Sequence, residues 1–125
     1  MGKFIYDSSL RVEFEDRLLA HLQAVIVAKV RRGESFTFTW KDDISTGGGR
    51  TAVYIQPRVS LVFMFQGGRM PPLNPAWLHA LSYNANTVRG LYVVPEPDGA
   101  VRPPTHHEEM VFAEVAADAP MPAPQ

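Results

Sequence analysis

The chain has 125 residues, 46% of them hydrophobic, 20% charged and 10% aromatic, which suits one globular domain with a real core and is too little for two. A net charge of -1 and a mean hydropathy of -0.10 name no partner and exclude a wholly disordered chain. The absence of cysteine excludes disulfides, thiolate metal sites and cysteine catalysis. No apolar run reaches the roughly 18 residues of a membrane helix, and the first residues hold neither a secretory apolar region nor a myristoylation motif, so a cytoplasmic, soluble protein is expected.

Residues 4–6 and 10–14 are short β-type runs around the turn cluster Asp7-Ser8-Ser9. In the second run Leu10, Val12 and Phe14 alternate with polar neighbours, which predicts a hairpin with one buried face. A helix follows, with Glu15 and Asp16 at the positive end of its dipole. Leu18, Leu19, Leu22, Val25, Ile26 and Val30 form its apolar stripe, and Gly33 can close it in a left-handed conformation.

Residues 35–40 alternate strictly, with Phe36, Phe38 and Trp40 on one face and Ser35, Thr37 and Thr39 on the other. A loop over 41–50 leads to a strand at 51–56. Residues 59–66 are apolar on both faces, the pattern of a central strand. Asn74 then caps a second helix that starts at Pro75 and buries Trp77, Leu78 and Leu81, with Leu73 stapled onto Leu78. Residues 91–94 form a last short strand. The order ββαβββαβ predicts an α+β domain over residues 1–94, with two helices on one face of a mostly antiparallel sheet.

Composition changes after Val94. Residues 95–125 hold seven of the eleven prolines and carry one basic and six acidic side chains, net -5. Residues 1–94 carry eleven basic and seven acidic side chains, net +4. A Pro-rich acidic tail of this kind is expected to be mostly disordered and to hover over basic surface, with residues 108–115 as its one candidate for local structure.

The loop Lys41-Asp42-Asp43-Ile44-Ser45-Thr46-Gly47-Gly48-Gly49-Arg50 is the most unusual segment. Gly47, Gly48 and Gly49 would let backbone amides converge on an anion that Arg50 clamps. The alternative is a plain hairpin loop, since Arg50 leads into a strand and no lysine follows the glycines. Asp42 and Asp43 form an adjacent acid pair in this loop but lack a third ligand for a metal. His21 and His79 read as partly exposed helix residues. His106-His107, in the tail, would chelate a metal weakly. No metal, cofactor or catalytic set is expected.

Arg31, Arg32, Arg50, Arg58, Arg69 and Arg89 lie at helix ends or in loops. If they share one edge near Trp40 or Tyr54, they form the basic patch with aromatic platforms that single-stranded nucleic acid needs. The alternative is solubilising arginines scattered around core aromatics.

From Met1-Gly2-Lys3-Phe4-Ile5-Tyr6, through Arg31-Arg32-Gly33-Glu34-Ser35-Phe36 and Phe38-Thr39-Trp40-Lys41-Asp42-Asp43, to Gly90-Leu91-Tyr92-Val93-Val94-Pro95-Glu96-Pro97, the chain resembles a family of short bacterial proteins of undetermined function. Members often bear the label ATP-dependent DNA ligase, and the resemblance implies that label. Such ligases attach AMP to the lysine of a Lys-x-Asp-Gly motif. The nearest match is Lys41-Asp42-Asp43-Ile44, in which Ile44 replaces the glycine, so no catalytic residue carries over. The expectation is a small non-enzymatic module that binds an anionic ligand or nucleic acid through Arg31, Arg32, Trp40, Lys41, Gly47, Gly48, Gly49, Arg50, Arg58 and Arg69. The alternative is a ligase-related or nucleotide-binding protein.

Overall fold

The computed structural model describes residues 1–97. The expectations for residues 98–125, including those for His106-His107 and the 108–115 stretch, lie outside the described residues. The elements are β1 (Gly2–Tyr6), β2 (Leu10–Phe14), α1 (Asp16–Arg31), β3 (Phe36–Lys41), β4 (Arg50–Ile55), β5 (Leu61–Met64), α2 (Pro75–Ala85) and β6 (Leu91–Tyr92). This is the α+β order that the sequence pattern predicts.

The strands divide into two three-stranded sheets instead of one, ordered β2-β1-β5 and β4-β3-β6. Each is built on a hairpin, β1 with β2 and β3 with β4, and among the described residues only the β3–β6 pair is parallel. Pro57, which has no amide hydrogen to give a ladder, follows the end of β4, and the chain then crosses from the second sheet to the first. The two sheets meet through aromatic side chains. Phe4 of β1 stands edge-on to Phe38 at 5.5 Å, and Phe14 of β2 edge-on to Trp40 at 6.1 Å, a geometry that sets positive ring edges on negative ring faces. Tyr6 adds a polar tie, its hydroxyl donating to the carbonyl of Tyr54 at 2.6 Å.

α1 packs on α2 and on β1, and α2 packs on β6 and β3. The predicted stripe is buried at Leu19, Leu22, Val25 and Ile26. Gly33 takes φ +79, as the end of the helix requires. Asn74 caps α2, its side chain accepting from the amides of Ala76 and Trp77. Glu15 makes no capping bond with its side chain. Asp16 instead accepts from the amides of Gly67 at 2.8 Å and Gln66 at 3.2 Å, which hold its carboxyl below its usual pKa.

Two expectations fail here. Among the described residues strand β5 is an edge, not a centre: it pairs with β1 alone, and Val62 and Met64 stay 41% and 49% exposed. The centre of that sheet is β1, whose alternation of buried Phe4 with half-buried Ile5 was too short to reveal it. His21 is not partly exposed but fully buried. Its Nδ1 donates to the carbonyl of Arg17 at 2.7 Å, its Nε2 accepts from the amide of Asn74 at 2.8 Å, and its ring lies 4.6 Å from that of Trp77.

Candidate nucleic-acid interface

Because β3 buries Phe36, Phe38 and Trp40, it turns Thr37, Thr39 and Lys41 outward. Register decides their neighbours. Tyr54 lies opposite Thr37, Ala52 opposite Thr39 and Arg50 opposite Lys41, all on the outer face. On the other flank Tyr92 of β6 lies beside Thr39, and the Arg89 guanidinium sits 4.6 Å from the centre of its ring. The outer face of the β4-β3-β6 sheet thus carries two tyrosines and three cationic side chains. None of its strand positions holds a carboxylate.

The Thr37–Tyr54 end of this face opens into a groove of about 490 Å³, lined among others by Lys29, Glu34, Asn86 and Val88. Lys29 is buried and donates to Glu34 at 2.8 Å and to Asn86 at 2.7 Å, with Phe36 beneath its ammonium at 5.2 Å. Burial pushes the Glu34 carboxyl up, but hydrogen bonds from Arg32 and Lys29 outweigh it and hold the group below its usual range. Gly90 at φ +81 brings the preceding turn against β3. A Cβ there would stand 2.6 Å from the Thr37 carbonyl oxygen, so only glycine permits this approach.

The remaining sequence candidates are spread more widely. Arg31 and Arg32 end α1, where Arg32 is paired with Glu34 at 3.0 Å. Arg58 lies in the turn between β4 and β5, and Arg69 in the loop before α2. Of the arginines and lysines singled out for the patch, Lys41 and Arg50 share one strand face. Trp40 is 4% exposed, its ring enclosed by Phe4, Phe14 and Phe38, so it offers no face to a base. Tyr54, at 56%, does.

The glycine loop folds on itself. Asp43 caps a 3-10 turn at Ile44–Thr46, and Gly47 follows in a left-handed conformation. The amides of Gly47 and Gly48 donate to the carbonyls of Ile44 and Asp43, which removes both from the expected anion nest. Asp42 accepts from the hydroxyl of Thr51 while Asp43 accepts from the amide of Ser45, so the two carboxylates diverge. Among the described residues no group of three His, Cys, Asp or Glu side chains is placed to hold a metal.

Tyr92 and Lys29 are the residues that the sequence reading left out, whereas Arg89 was among its patch arginines. The alternation of buried Leu91 with outward Tyr92 was a usable signal; the two-residue length of β6 hid it.

A second polar cluster ties the end of the domain down. Arg17 donates to Glu96 through two nitrogens, at 2.9 and 2.6 Å, and to the carbonyl of Pro72 at 2.7 Å. Asn74 donates to Glu96 at 2.8 Å, and the indole of Trp77 donates to the carbonyl of Val94 at 2.9 Å. The hydrogen bonds from Arg17 lower the Glu96 carboxyl to about 2.

The fold and this face define a small two-sheet α+β domain with a basic, aromatic sheet surface. The chain belongs to the DUF7882 family, described as a domain of unknown function, which matches residues 1–96 and so ends on the residue that Arg17 holds. No curated protein and no solved structure matches it. No helix among the described residues is long and apolar enough to cross a membrane.

Proposed function

We propose that this domain is a non-catalytic binding module that takes single-stranded nucleic acid on the outer face of the β4-β3-β6 sheet. One observation carries the reading: Tyr54 and Tyr92 share that face with Lys41, Arg50 and Arg89, and none of its strand positions holds a carboxylate. By strand and rung spacing the two tyrosines stand about 12 Å apart, room for two bases stacked on separate rings. Every base has a π-face, so such platforms bind with little sequence preference while cations track the backbone. Lys41 and Arg50 lie directly opposite each other, an unfavourable pairing of like charges that a bound phosphate would relieve.

Fluorescence anisotropy with short single-stranded DNA and RNA at low salt tests this. Three neutralised phosphates give a slope of log K against log salt near about -2. No binding at low salt overturns the proposal. So does a covalent adenylate on Lys41 after incubation with ATP and Mg²⁺, which is what the ligase reading requires and mass spectrometry detects.

A further inference from the structure

Strand β5 has the composition of a sheet centre and the position of an edge. Residues 59–68 contain neither a charge nor a proline, the usual devices that keep an edge from pairing. The backbone bond from the Asp7 amide to the Ser60 carbonyl sets the phase of the β1–β5 ladder. Antiparallel bonds alternate, so Val62 and Met64 bond to β1, and the amides and carbonyls of Leu61 and Phe63 point to the open side. The amide of Gln66, in phase with Val62 and Met64, turns inward to Asp16 as this requires.

We propose that β5 pairs antiparallel with β5 of a second copy of the chain, about a twofold axis at Phe63, joining two β2-β1-β5 sheets into one of six strands. The strand is self-complementary in this register. Phe63 lies opposite its own copy in a hydrogen-bonded pair, and Leu61 lies opposite Phe65, all side chains that are half-buried within one chain. On the outer face Val62 meets Met64 of the second copy, and the reverse. Ile5, beside Val62 in the β1–β5 register, extends the apolar centre, while Lys3, Arg11 and Glu13 fall at its rim. That is the layout of a protein interface, apolar in the middle and charged around it. Arg58 falls opposite Gly68 and Arg69 opposite Pro57, so no like charges are opposed. A closed twofold contact of this kind uses up the β5 edge of both copies and so does not propagate through β5.

The full chain in analytical ultracentrifugation is expected to sediment at twice its 13.9 kDa. The variant V62E/M64E sets four carboxylates together at the axis and raises the dimer dissociation constant by at least about 100-fold. Far-UV circular dichroism checks that it folds. Mixing it with V62K/M64K restores a dimer, which a merely misfolded chain would not do. Register is tested separately, since the chain has no cysteine of its own. A mixture of V62C and M64C chains cross-links on oxidation, whereas V62C alone does so far less. A monomer at every concentration, a dimer indifferent to the charged variants, or equal cross-linking of V62C with itself overturns the proposal.

Discussion

The amide of Asn74 donates to Nε2 of His21 at 2.8 Å, across 53 residues of chain. That bond selects the tautomer. With Nε2 accepting, the proton sits on Nδ1, which donates to the carbonyl of Arg17, and the imidazole is neutral. The same Asn74 caps α2 through its side-chain oxygen and holds Glu96 through its side-chain nitrogen. One histidine thereby fixes the start of α2 against α1, and the segment before the end of the domain against both.

His21 makes stability depend on pH. Burial lowers its pKa below the ordinary 6.5. Between those two values the unfolded chain binds more protons than the folded one. Stability is therefore complete above about pH 6.5 and falls as pH drops through the folded value. Asp16, Glu34 and Glu96 are all lowered from starting values of 3.8 or 4.5, so their losses come at more acid pH. Urea midpoints at pH 7.5, 6.5 and 5.5 should decline, and the imidazole ¹⁵N shifts at pH 7 should report the Nδ1–H tautomer. His21→Ala orphans the buried Asn74 amide and opens a cavity beside Trp77, at a cost of about 3 kcal/mol.

Glu96 titrates in a separate window. Its folded pKa of about 2 lies under the ordinary 4.5, so its contribution is present above 4.5 and lost as pH falls towards 2. Glu96→Gln should lower stability at pH 7 by about 1 kcal/mol, as expected for a partly exposed bidentate pair. The gap from the parent chain should close in acid. A constant gap down to pH 2 would mean that the pair does not form.

Tyr54 and Trp40 should separate binding from folding. Tyr54→Ala removes an exposed ring and is expected to weaken oligonucleotide binding roughly tenfold, with thermal stability nearly unchanged. Trp40→Ala empties the contact among Phe4, Phe14 and Phe38 and should cost about 3–5 kcal/mol. Anisotropy and denaturation on both variants decide it; a binding loss in Trp40→Ala without a stability loss would contradict the buried placement.

The acidic segment supplies the fourth prediction. Residues 95–125 carry net -5 against net +4 for residues 1–94. Opposite charge makes this segment a competitor of an anionic ligand for the basic face. A chain ending at residue 97, which retains Glu96, should remain folded and bind oligonucleotide more tightly than the full chain at low salt. The difference should fade at physiological salt, where screening sets in beyond about 8 Å. Equal affinity of both chains at low salt would make the segment a bystander.

Local chemistry is short-ranged, and that sets what the sequence by itself determined. The alternation of Phe36, Phe38 and Trp40, the stripe from Leu19 to Ile26, the cap at Asn74 and the turn at Gly33 each depend on residues within a few positions. They sufficed for the element order and for most of the core. Pairing depends on partners far along the chain, so only the tertiary structure decided that β1 is central and β5 an edge. The same holds for the site. Alternation placed Trp40 and Lys41 on opposite faces but could not say which face is covered. The packing of Phe4 and Phe14 buried the first, and the β3–β4 register set Arg50 beside the second. His21 was illegible for the same reason: a buried imidazole is tolerable only with both nitrogens satisfied, and the amide that satisfies one of them lies 53 residues away.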